Sequence, residues 1–441
     1  MKRLLSLLLC AVLALFCATT AQAAGVSITL TASEYALHYA FDAGAQDPFV
    51  ILEYATPAEK GWMMLYSEDG HFEGDVSLAY SGAGGKTSVA LTSARTTGSI
   101  GKASTTLPKA ADYQKPTGKS NAKVTDFVLT ETPEGFHYAF NAIGTDYMLL
   151  YWRSKEQTVT QPVYPDENGH YEGDVVSELT FARTQFTVQV KSGSGSMKKE
   201  ATVRKGYQAP ETPQRQEGRL SGVTVCIDAG HQENGRFVNE PIGPGLTGST
   251  SGKGGMAQGT KTNRRESIVC LEIGMLLRDE LLRQGANVIM TREDQTTFHT
   301  NIERCEIAEA GGAQIMLRLH CNNSSNRSKR GIQVYGPLNS DYAKAVADAD
   351  TYREMGQKLL DAMKTRVGMT LANCTGMVRL NDNYVGNNWA KMMCFLVEMG
   401  YLSNPAEEYL LVTPVYQQWL AEGMADGVYE IAVARGWVQA Q

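Results

Sequence analysis

Two histidines and two glutamates in the second half of the chain have the residue types of a metal-dependent hydrolase. His231 and His320 each follow a short apolar run, Glu398 follows Phe395-Leu396-Val397, and Glu266 stands at the start of a helical pattern. A hydrolytic zinc site needs about three protein ligands from His and Asp or Glu, an open position for water and a nearby carboxylate that handles protons. The four residues meet this count.

Each of these residues also has a structural interpretation. His231 and His320 fit packed histidines at strand ends. The run Asn263-Arg264-Arg265-Glu266 fits an N-terminal helix cap with glutamate at the third helical position. Glu398 is harder to explain in this way, because an ionisable side chain after apolar positions is costly to bury without a partner. From residue types alone, the metal and structural interpretations both stay open.

The elements around these residues alternate between strands and helices. Predicted strands cover residues 223–227, 287–290, 314–319, 331–335 and 392–397, and predicted helices cover 267–283, 302–310, 342–365 and 416–434. This alternation predicts an α/β domain with a mostly parallel twisted sheet flanked by helices. Open α/β sheets hold their sites beyond the carboxyl ends of the strands. His231, His320 and Glu398 are therefore expected at one edge of the sheet.

Six short motifs occur in order through this half of the chain. They are Cys226 to His231, Glu266 with the helix that ends in Leu281 to Gly285, Met290-Thr291-Arg292, Glu303-Arg304 before Ala308, Leu317 to Asn322, and Val397 to Pro405. In this order they resemble the zinc-dependent N-acetylmuramoyl-L-alanine amidases of the third amidase family. The resemblance covers residues 223–436. Ala229 stands where that family more usually has proline, and Cys321 where it more usually has alanine.

The resemblance carries specific expectations about the site and the reaction. It implies that His231, Glu266 and His320 bind zinc and that Glu398 is the catalytic carboxylate. It implies that zinc-activated water cleaves the amide bond between N-acetylmuramic acid and L-alanine of the stem peptide in peptidoglycan. The segment 232–265 resembles a loop of one subgroup, and its many Gly, Ser and Thr residues predict a flexible rim beside the metal.

Asp228 and three arginines are further candidates for the site. Asp228 lies three residues before His231, where it could orient a ligand imidazole, and it fits a cap of the turn after the strand equally well. Arg292, Arg304 and Arg318 are candidate substrate-binding residues that would pair with peptide carboxylates. A surface or structural ion pair is the alternative interpretation for each arginine.

Two other functions compete with the amidase. A zinc peptidase that cuts within the stem peptide would use the same kind of metal site. The chain also fits a non-catalytic cell-surface adhesin in which the second half is a decayed enzyme. The presence of both histidines and both glutamates argues against decay.

The first half contains an internal duplication with an offset of 99 residues. His38-Tyr39-Ala40-Phe41 recurs as His137-Tyr138-Ala139-Phe140, and the segment 71–76 recurs as 170–175. Alternating apolar residues and hairpin signals predict two tandem all-β sandwiches, immunoglobulin- or fibronectin-like, over residues 24–116 and 117–210. The four histidines of these repeats are better explained by sandwich structure than by metal binding. The repeats are candidates for contact with the cell wall or with a surface protein.

The remaining features concern location and partners. Lys2-Arg3, an apolar run and Ala21-Gln22-Ala23 predict a signal peptide over residues 1–23, hence a secreted, extracellular or wall-associated protein. No later stretch is long enough for a membrane span. A net charge of -6 without a Lys/Arg block argues against a nucleic-acid partner. Residues 211–222 predict a linker, and the six cysteines of the second half are predicted to be free thiols.

Overall fold

The computed structural model describes most of the chain in fourteen segments. The described residues are 19–21, 25–78, 80–111, 122–132, 135–143, 148–153, 158–176, 185–191, 197–204, 210–232, 238–250, 255–262, 264–367 and 376–440. They form two compact units, Met1–Ser93 with Gly98–Lys205, and Ala94–Thr97 with Gly206–Gln441. The predicted signal peptide lies outside the described residues except for Thr19–Ala21. Cys374 also lies outside them.

The first unit is all-β within the described residues, which confirms the class predicted for the first half. Its strands are β1 (Thr19–Ala21), β2 (Ile28–Ala32), β3 (Ala36–Asp42), β4 (Phe49–Ala55), β5 (Glu59–Tyr66), β6 (His71–Ser77), β7 (Gly85–Ser93), β8 (Ser99–Leu107), β9 (Lys123–Thr132), β10 (Gly135–Ile143), β11 (Met148–Arg153), β12 (Thr158–Val163), β13 (His170–Val176), β14 (Gln185–Lys191) and β15 (Met197–Arg204).

These strands form three sheets, one of which runs through both repeats. The strand orders are β1-β2-β3-β6, β13-β10-β9, and β15-β14-β11-β12-β5-β4-β7-β8. The larger sheet is continuous because β12 pairs with β5 in antiparallel fashion, through Thr158 with Lys60 and Val159 with Glu59. Each repeat nevertheless keeps its own apolar core, drawn from a small sheet and from its half of the large sheet. The structure thus differs from two fully separate sandwiches at this shared sheet.

Alternation along β3 explains the position of the repeat histidines. Leu37, Tyr39 and Phe41 are buried in the core, so the residues between them face outward. His38 lies on the outer face, where its Nδ1 is 3.1 Å from the Asp75 carboxylate, and the equivalent His137 lies 2.9 Å from Asp174. The duplicated histidines are therefore surface groups paired with carboxylates.

The second unit alternates strands and helices. Its strands are β16 (Thr224–Ala229), β17 (Asn287–Met290), β18 (Ile315–Asn322), β19 (Gln333–Gly336), β20 (Met377–Leu380) and β21 (Met393–Tyr401). Its helices are α1 (Glu266–Arg283), α2 (Asn301–Ala310), α3 (Asp341–Val346), α4 (Ala349–Arg366), α5 (Val385–Trp389), α6 (Glu407–Leu410) and α7 (Pro414–Ala434). No helix in the described residues combines the length and apolar content of a membrane span.

One six-stranded sheet, in the order β17-β16-β18-β21-β19-β20, organises this unit. All neighbouring strands are parallel except β19 and β21, so the sheet is mixed but mostly parallel. Helix α1 packs on β16 and β18, helix α4 packs on β19 and β20, and α7 contacts both helices. The predicted α/β layers are therefore present. The carboxyl ends of β16, β18 and β21 share one edge, as expected.

Two details differ from the sequence expectations. The helix predicted over 342–365 is divided, because Ala347 is extended and the Asp348 side chain accepts a hydrogen bond from the Thr351 amide at the start of α4. Residues 211–222, predicted as a linker, are hydrogen-bonded to the unit. The buried guanidinium of Arg278 donates to the carbonyls of Pro210 and Glu211, a backbone contact that leaves no apolar pattern in the sequence.

Candidate metal centre

His231 occupies an unusual turn directly after β16. Its φ of 57° lies in the left-handed region, which is uncommon for a residue with a Cβ atom and requires support from the surroundings. The preceding residue must be glycine, because a Cβ atom on Gly230 would lie 2.7 Å from Nε2 of His320. The two imidazole rings are consequently close, with their centroids 4.9 Å apart.

The two glutamates reach the same edge from different elements. Glu398 on β21 is the direct parallel-strand partner of His320 on β18. Glu266 is the first residue of α1, and its N-cap is Arg265. The alternative interpretation of a helix cap with Glu266 at the third helical position is therefore wrong. Instead the Glu266 carboxylate accepts hydrogen bonds from the amides of Ala257 at 2.7 Å and Cys321 at 3.0 Å.

One oxygen of Glu266 joins the two histidines. Glu266 Oε1 lies 3.1 Å from His231 Nε2 and 3.0 Å from His320 Nδ1. Ligands about 2.0–2.1 Å from a tetrahedral zinc ion lie about 3.3 Å from one another, so these spacings suit a shared ion. Among the described residues, this is the only group of three or more His, Cys, Asp or Glu side chains whose ligand atoms lie within 4.8 Å of one another.

The pKa shifts of Glu266 and His320 also suit a metal. Burial alone would raise the pKa of Glu266, but its contacts with His231 and His320 outweigh burial and hold the pKa well below the usual range. Burial lowers the pKa of His320, against the opposing effect of Glu266. Metal binding requires an ionised carboxylate and neutral imidazole. The donor set therefore fits zinc in both geometry and charge.

Glu398 is the carboxylate left without a partner. Its Oε2 atom is buried and has no hydrogen-bond partner among the described residues. Burial, followed by the negative charge of Glu266, raises the pKa of Glu398 to about 8. A buried carboxylate without compensation is costly to fold, which marks this group as a candidate for chemistry.

Asp228 lies beneath the turn and contacts arginines rather than imidazoles. The fully buried Asp228 carboxylate accepts hydrogen bonds from Thr291 Oγ1 at 2.7 Å, from Arg318 Nε at 2.9 Å and from Arg304. Burial alone would raise its pKa, but Arg304 and Arg318 outweigh burial and keep the pKa far below the usual range. Asp228 thus acts on His231 through Arg304, which also donates to the His231 carbonyl at 3.3 Å.

The three candidate arginines are all buried and have internal partners. Arg292 donates to the carbonyls of Ala229 at 2.7 Å and Gly230 at 2.9 Å. Arg304 and Arg318 form the ion pairs with Asp228. Each is at most 4% exposed, so none presents its guanidinium to a substrate. The structural ion-pair interpretation accounts for Arg304 and Arg318, and Arg292 supports the turn that carries His231.

The described parts of the segment 232–265 are tied to the domain rather than free. The Glu240 carboxylate accepts hydrogen bonds from the amides of Asn301 and Ile302 at the start of α2. Glu408 on α6 accepts from the amides of Lys261 and Thr262. Since Ala257 in the same segment bonds Glu266, the contact with Glu408 lies close to a candidate ligand. The prediction of a flexible rim does not describe these parts.

Sequence comparison independently points to the same unit. Residues 225–430 match the protein family described as N-acetylmuramoyl-L-alanine amidase. This segment is similar to those amidases. The germination-specific N-acetylmuramoyl-L-alanine amidase of Bacillus subtilis is 26% identical over 231 residues, which cover 49% of this chain and 83% of the relative. The probable cell wall amidase LytH of Staphylococcus aureus is 27% identical over 235 residues, covering 52% of this chain and 72% of the relative.

A solved amidase structure matches the same half of the chain. The crystal structure of N-acetylmuramoyl-L-alanine amidase from Clostridium difficile 630 covers 48% of this chain and 96% of its own, at 25% identity and a TM-score of 0.38. The family match and the two relatives show that residues 225–430 are similar in sequence to N-acetylmuramoyl-L-alanine amidases. The six ordered motifs of the sequence thus indicated this amidase family.

Several groups beside the amidase-like site carried no sequence signal. Gln333 and Tyr335 on β19 lie on the side of Glu398 away from His320, and the exposed Arg379 stands beyond them on β20. Gln333 is the antiparallel partner of Glu398. Their strands are short, and the antiparallel step from β21 to β19 cannot be deduced from periodicity. Only the register of the sheet reveals that they adjoin the site.

Proposed function

We propose that the chain is a zinc-dependent N-acetylmuramoyl-L-alanine amidase that cleaves the bond between N-acetylmuramic acid and L-alanine in peptidoglycan. The observation that carries this proposal is the convergence of His231 Nε2, His320 Nδ1 and Glu266 Oε1 beside the unpartnered carboxylate of Glu398. The named activities of the relatives support the choice of substrate.

Three side chains would coordinate the zinc ion. His231, His320 and Glu266 would occupy three positions and leave a fourth for water, and zinc so bound activates that water and polarises the amide carbonyl. Arg304 and Arg292 hold the carbonyls of the turn from Ala229 to His231, so the His231 ring has a fixed position before substrate arrives.

Glu398 provides the proton transfers. It takes a proton from the attacking water and releases it to the departing alanine nitrogen, so the amide bond breaks as an acid and an amine form. A carboxyl group with a pKa near neutrality can do both at physiological pH. A divalent cation bound beside Glu398 would lower that pKa and favour the base form. The same group therefore acts first as base and then as acid.

The first half of the chain has proposed roles in location and attachment. We propose that the repeats are two-layer sandwiches joined at their large sheet, and that they contact the cell wall or a surface protein. We propose that residues 1–23 act as a signal peptide, so that the enzyme works outside the cytoplasm, where peptidoglycan lies.

Metal analysis and product identification test the proposal together. Purified full-length protein should contain about one zinc ion per chain, as the three-ligand site requires. Digestion of purified peptidoglycan should release new L-alanine amino termini and leave glycan strands without peptides. New termini from other residues would instead identify a peptidase that cuts within the stem peptide. Intact peptidoglycan after incubation with the zinc-loaded protein would contradict the enzymatic proposal.

A further inference from the structure

A connected group of polar and aromatic side chains lies beside Glu398, on β18, β19 and β21 and at the start of α5. We call it the tyrosine shelf, and it consists of Asn322, Gln333, Tyr335, Tyr384 and Tyr401. Gln333 lies at its centre as the strand partner of Glu398. Its Oε1 accepts hydrogen bonds from Asn322 Nδ2 at 3.1 Å and Tyr335 Oη at 2.5 Å, and its Nε2 donates to Tyr401 Oη at 3.0 Å. One amide group therefore links Asn322, Tyr335 and Tyr401.

The shelf and Glu398 are close enough to interact electrostatically. Burial and the negative charge of Glu398 raise the pKa of Tyr335. Burial also raises the pKa of Tyr384, and Glu398 contributes to that shift. The rings of Tyr335 and Tyr384 are 5.0 Å apart. Because Gln333 pairs with Glu398 and Tyr335 lies two residues further along β19, the register of the sheet places Tyr335 near this carboxylate.

Arg379 stands beyond the shelf as a positive charge without an acidic partner. It is exposed on β20, and its strand partner is Tyr335 on β19. Within the described part of the chain it forms no ion pair, and its charge opposes the pKa shift of Tyr335. Arg292, Arg304 and Arg318, by contrast, are buried with internal partners. Arg379 is thus the arginine on this side of the site that remains available to a ligand.

The register of the sheet sets the distance between Arg379 and the reaction centre. Glu398 pairs with Gln333, and Gln333 pairs with Met377, so Arg379 lies two strands and two residues away from Glu398. With strands about 4.8 Å apart and about 3.3 Å per residue, the two Cα atoms are separated by about 12 Å. An extended arginine side chain is long enough to reach over about half of that distance. The remaining gap matches the second residue of an extended peptide attached at the scissile amide.

We propose that the tyrosine shelf and Arg379 form the subsite for the stem peptide, with Arg379 binding the free carboxylate of the second residue. This inference rests on the proposed amidase function, because it orients the substrate across Glu398. The glycan has no carboxylate to offer once the lactyl group is in amide linkage, so the charge of Arg379 favours the peptide on this side. Guanidinium and carboxylate are complementary in shape and charge.

Two synthetic probes that differ in one group test the subsite. The first is N-acetylmuramoyl-L-alanyl-D-isoglutamyl-L-lysine amide, whose only carboxylate is on the second residue, and the second carries D-isoglutamine in that position. Binding is measured by calorimetry with full-length, zinc-loaded E398Q protein, so that no probe is cleaved. We expect Arg379→Ala to weaken binding of the carboxylate probe by about tenfold or more and to leave the carboxamide probe unchanged. Arg379→Lys should retain part of the affinity.

A matched control and a hydrolysis assay complete the test. Arg353→Ala removes another exposed arginine, one paired with Asp350 on α4, and should affect neither probe. In the active background, Arg379→Ala should raise KM for the carboxylate probe and leave kcat nearly unchanged. Equal weakening of both probes, or no weakening of either, would overturn the subsite. If wild-type protein fails to cleave either probe or peptidoglycan, the amidase proposal fails, and the binding results still decide the role of Arg379.

Discussion

At the scale of single residues, the proposed metal centre assigns metal binding to Glu266 and proton transfer to Glu398. Glu266 is ionised by its contacts with two histidines, and Glu398 on the adjacent strand has a raised pKa. Their environments push the two pKa values apart, which is the usual sign that one carboxylate serves as ligand and the other transfers protons. Either role can then be removed without the other.

Glu398→Gln should abolish most of the activity and leave the metal bound. Glutamine keeps the shape of the side chain but cannot take a proton from water, so kcat should fall by about 10²–10⁴-fold. Zinc content, measured by mass spectrometry, should match that of wild type. Glu354→Gln, a change of an exposed glutamate on α4, serves as control and should leave both quantities unaltered. A fully active Glu398→Gln variant would contradict the assignment.

Asp228→Asn should destabilise the second unit strongly. The substitution leaves the buried guanidinium groups of Arg304 and Arg318 without a countercharge, which typically costs about 3–5 kcal/mol. The thermal midpoint of this unit should fall by about 10 °C or more in calorimetry. Asp350→Asn, at a side chain that is 93% exposed in its ion pair with Arg353, should change the midpoint by no more than about 2 °C. Equal midpoints for the two variants would show that the ion pairs of Asp228 do not stabilise the second unit.

The sequence was informative about residue types at this scale and uninformative about their partners. His231, His320 and Glu398 were found because each follows a predicted strand, and strand ends of a parallel sheet meet. The partners of Asp228 were missed, because the register that places Arg318 opposite Asp228 is not visible in one sequence. Arg379 was missed for the same reason, since it adjoins the site only through two strand pairings.

At the scale of elements, short connections position the site as much as the long helices do. Glu407, the first residue of the short helix α6, accepts hydrogen bonds on its carboxylate from the amides of Tyr401 at 2.8 Å and Gly331 at 2.9 Å. It therefore ties the end of β21 to the chain before β19. These contacts involve main-chain groups, so no apolar pattern in the sequence could predict them. The last predicted strand ended at residue 397, before Tyr401.

Glu407 should make the stability of the second unit depend on pH. Burial raises the pKa of Glu407 to about 7, against the opposing effects of its hydrogen bonds and Arg330, so the folded state favours the protonated form. The stabilising free energy from protonated Glu407 is fully present below a pH of about 4.5, the pKa of a glutamate in the unfolded chain. It is lost as the pH rises through about 7, and the loss is on the order of 3 kcal/mol. The thermal midpoint of zinc-free wild type should therefore fall between pH 4.5 and 7.

Glu407→Gln supplies the comparison, because glutamine does not titrate. Other groups contribute equally to both proteins, so the midpoint of the variant should fall less than that of wild type over the same interval. The measurement is calorimetry in chelator, which removes the separate pH dependence of zinc binding. Parallel pH profiles for the two proteins would contradict the raised pKa of Glu407.

At the scale of the whole molecule, the chain joins an all-β unit to an amidase-like unit, and the two should respond differently to metal. If the proposed site holds zinc, the ion should stabilise the folded second unit in proportion to its affinity, whereas the described residues of the repeats contain no metal group of this kind. Because one sheet runs through both repeats, these should unfold together.

Calorimetry of the full-length protein should consequently show two transitions. Chelation should lower the midpoint of one transition and leave the other in place. His231→Ala should reproduce the effect of chelation without any added chelator, because it removes a ligand. Three transitions would indicate that the repeats unfold independently in spite of the shared sheet, and a chelator effect on both transitions would contradict the separation of the units.

The pairing of β5 with β12 also limits how many repeats can associate in this way. With an offset of 99 residues, Glu59 corresponds to Thr158 and Lys60 to Val159, so the pairing of β5 with β12 joins equivalent residues reciprocally. This is the isologous contact of a two-fold dimer, made within one chain. An isologous contact closes on itself, whereas a head-to-tail contact leaves a free surface with every copy added. A third copy would find no free β5-type edge to pair with, so this mode of association ends at two.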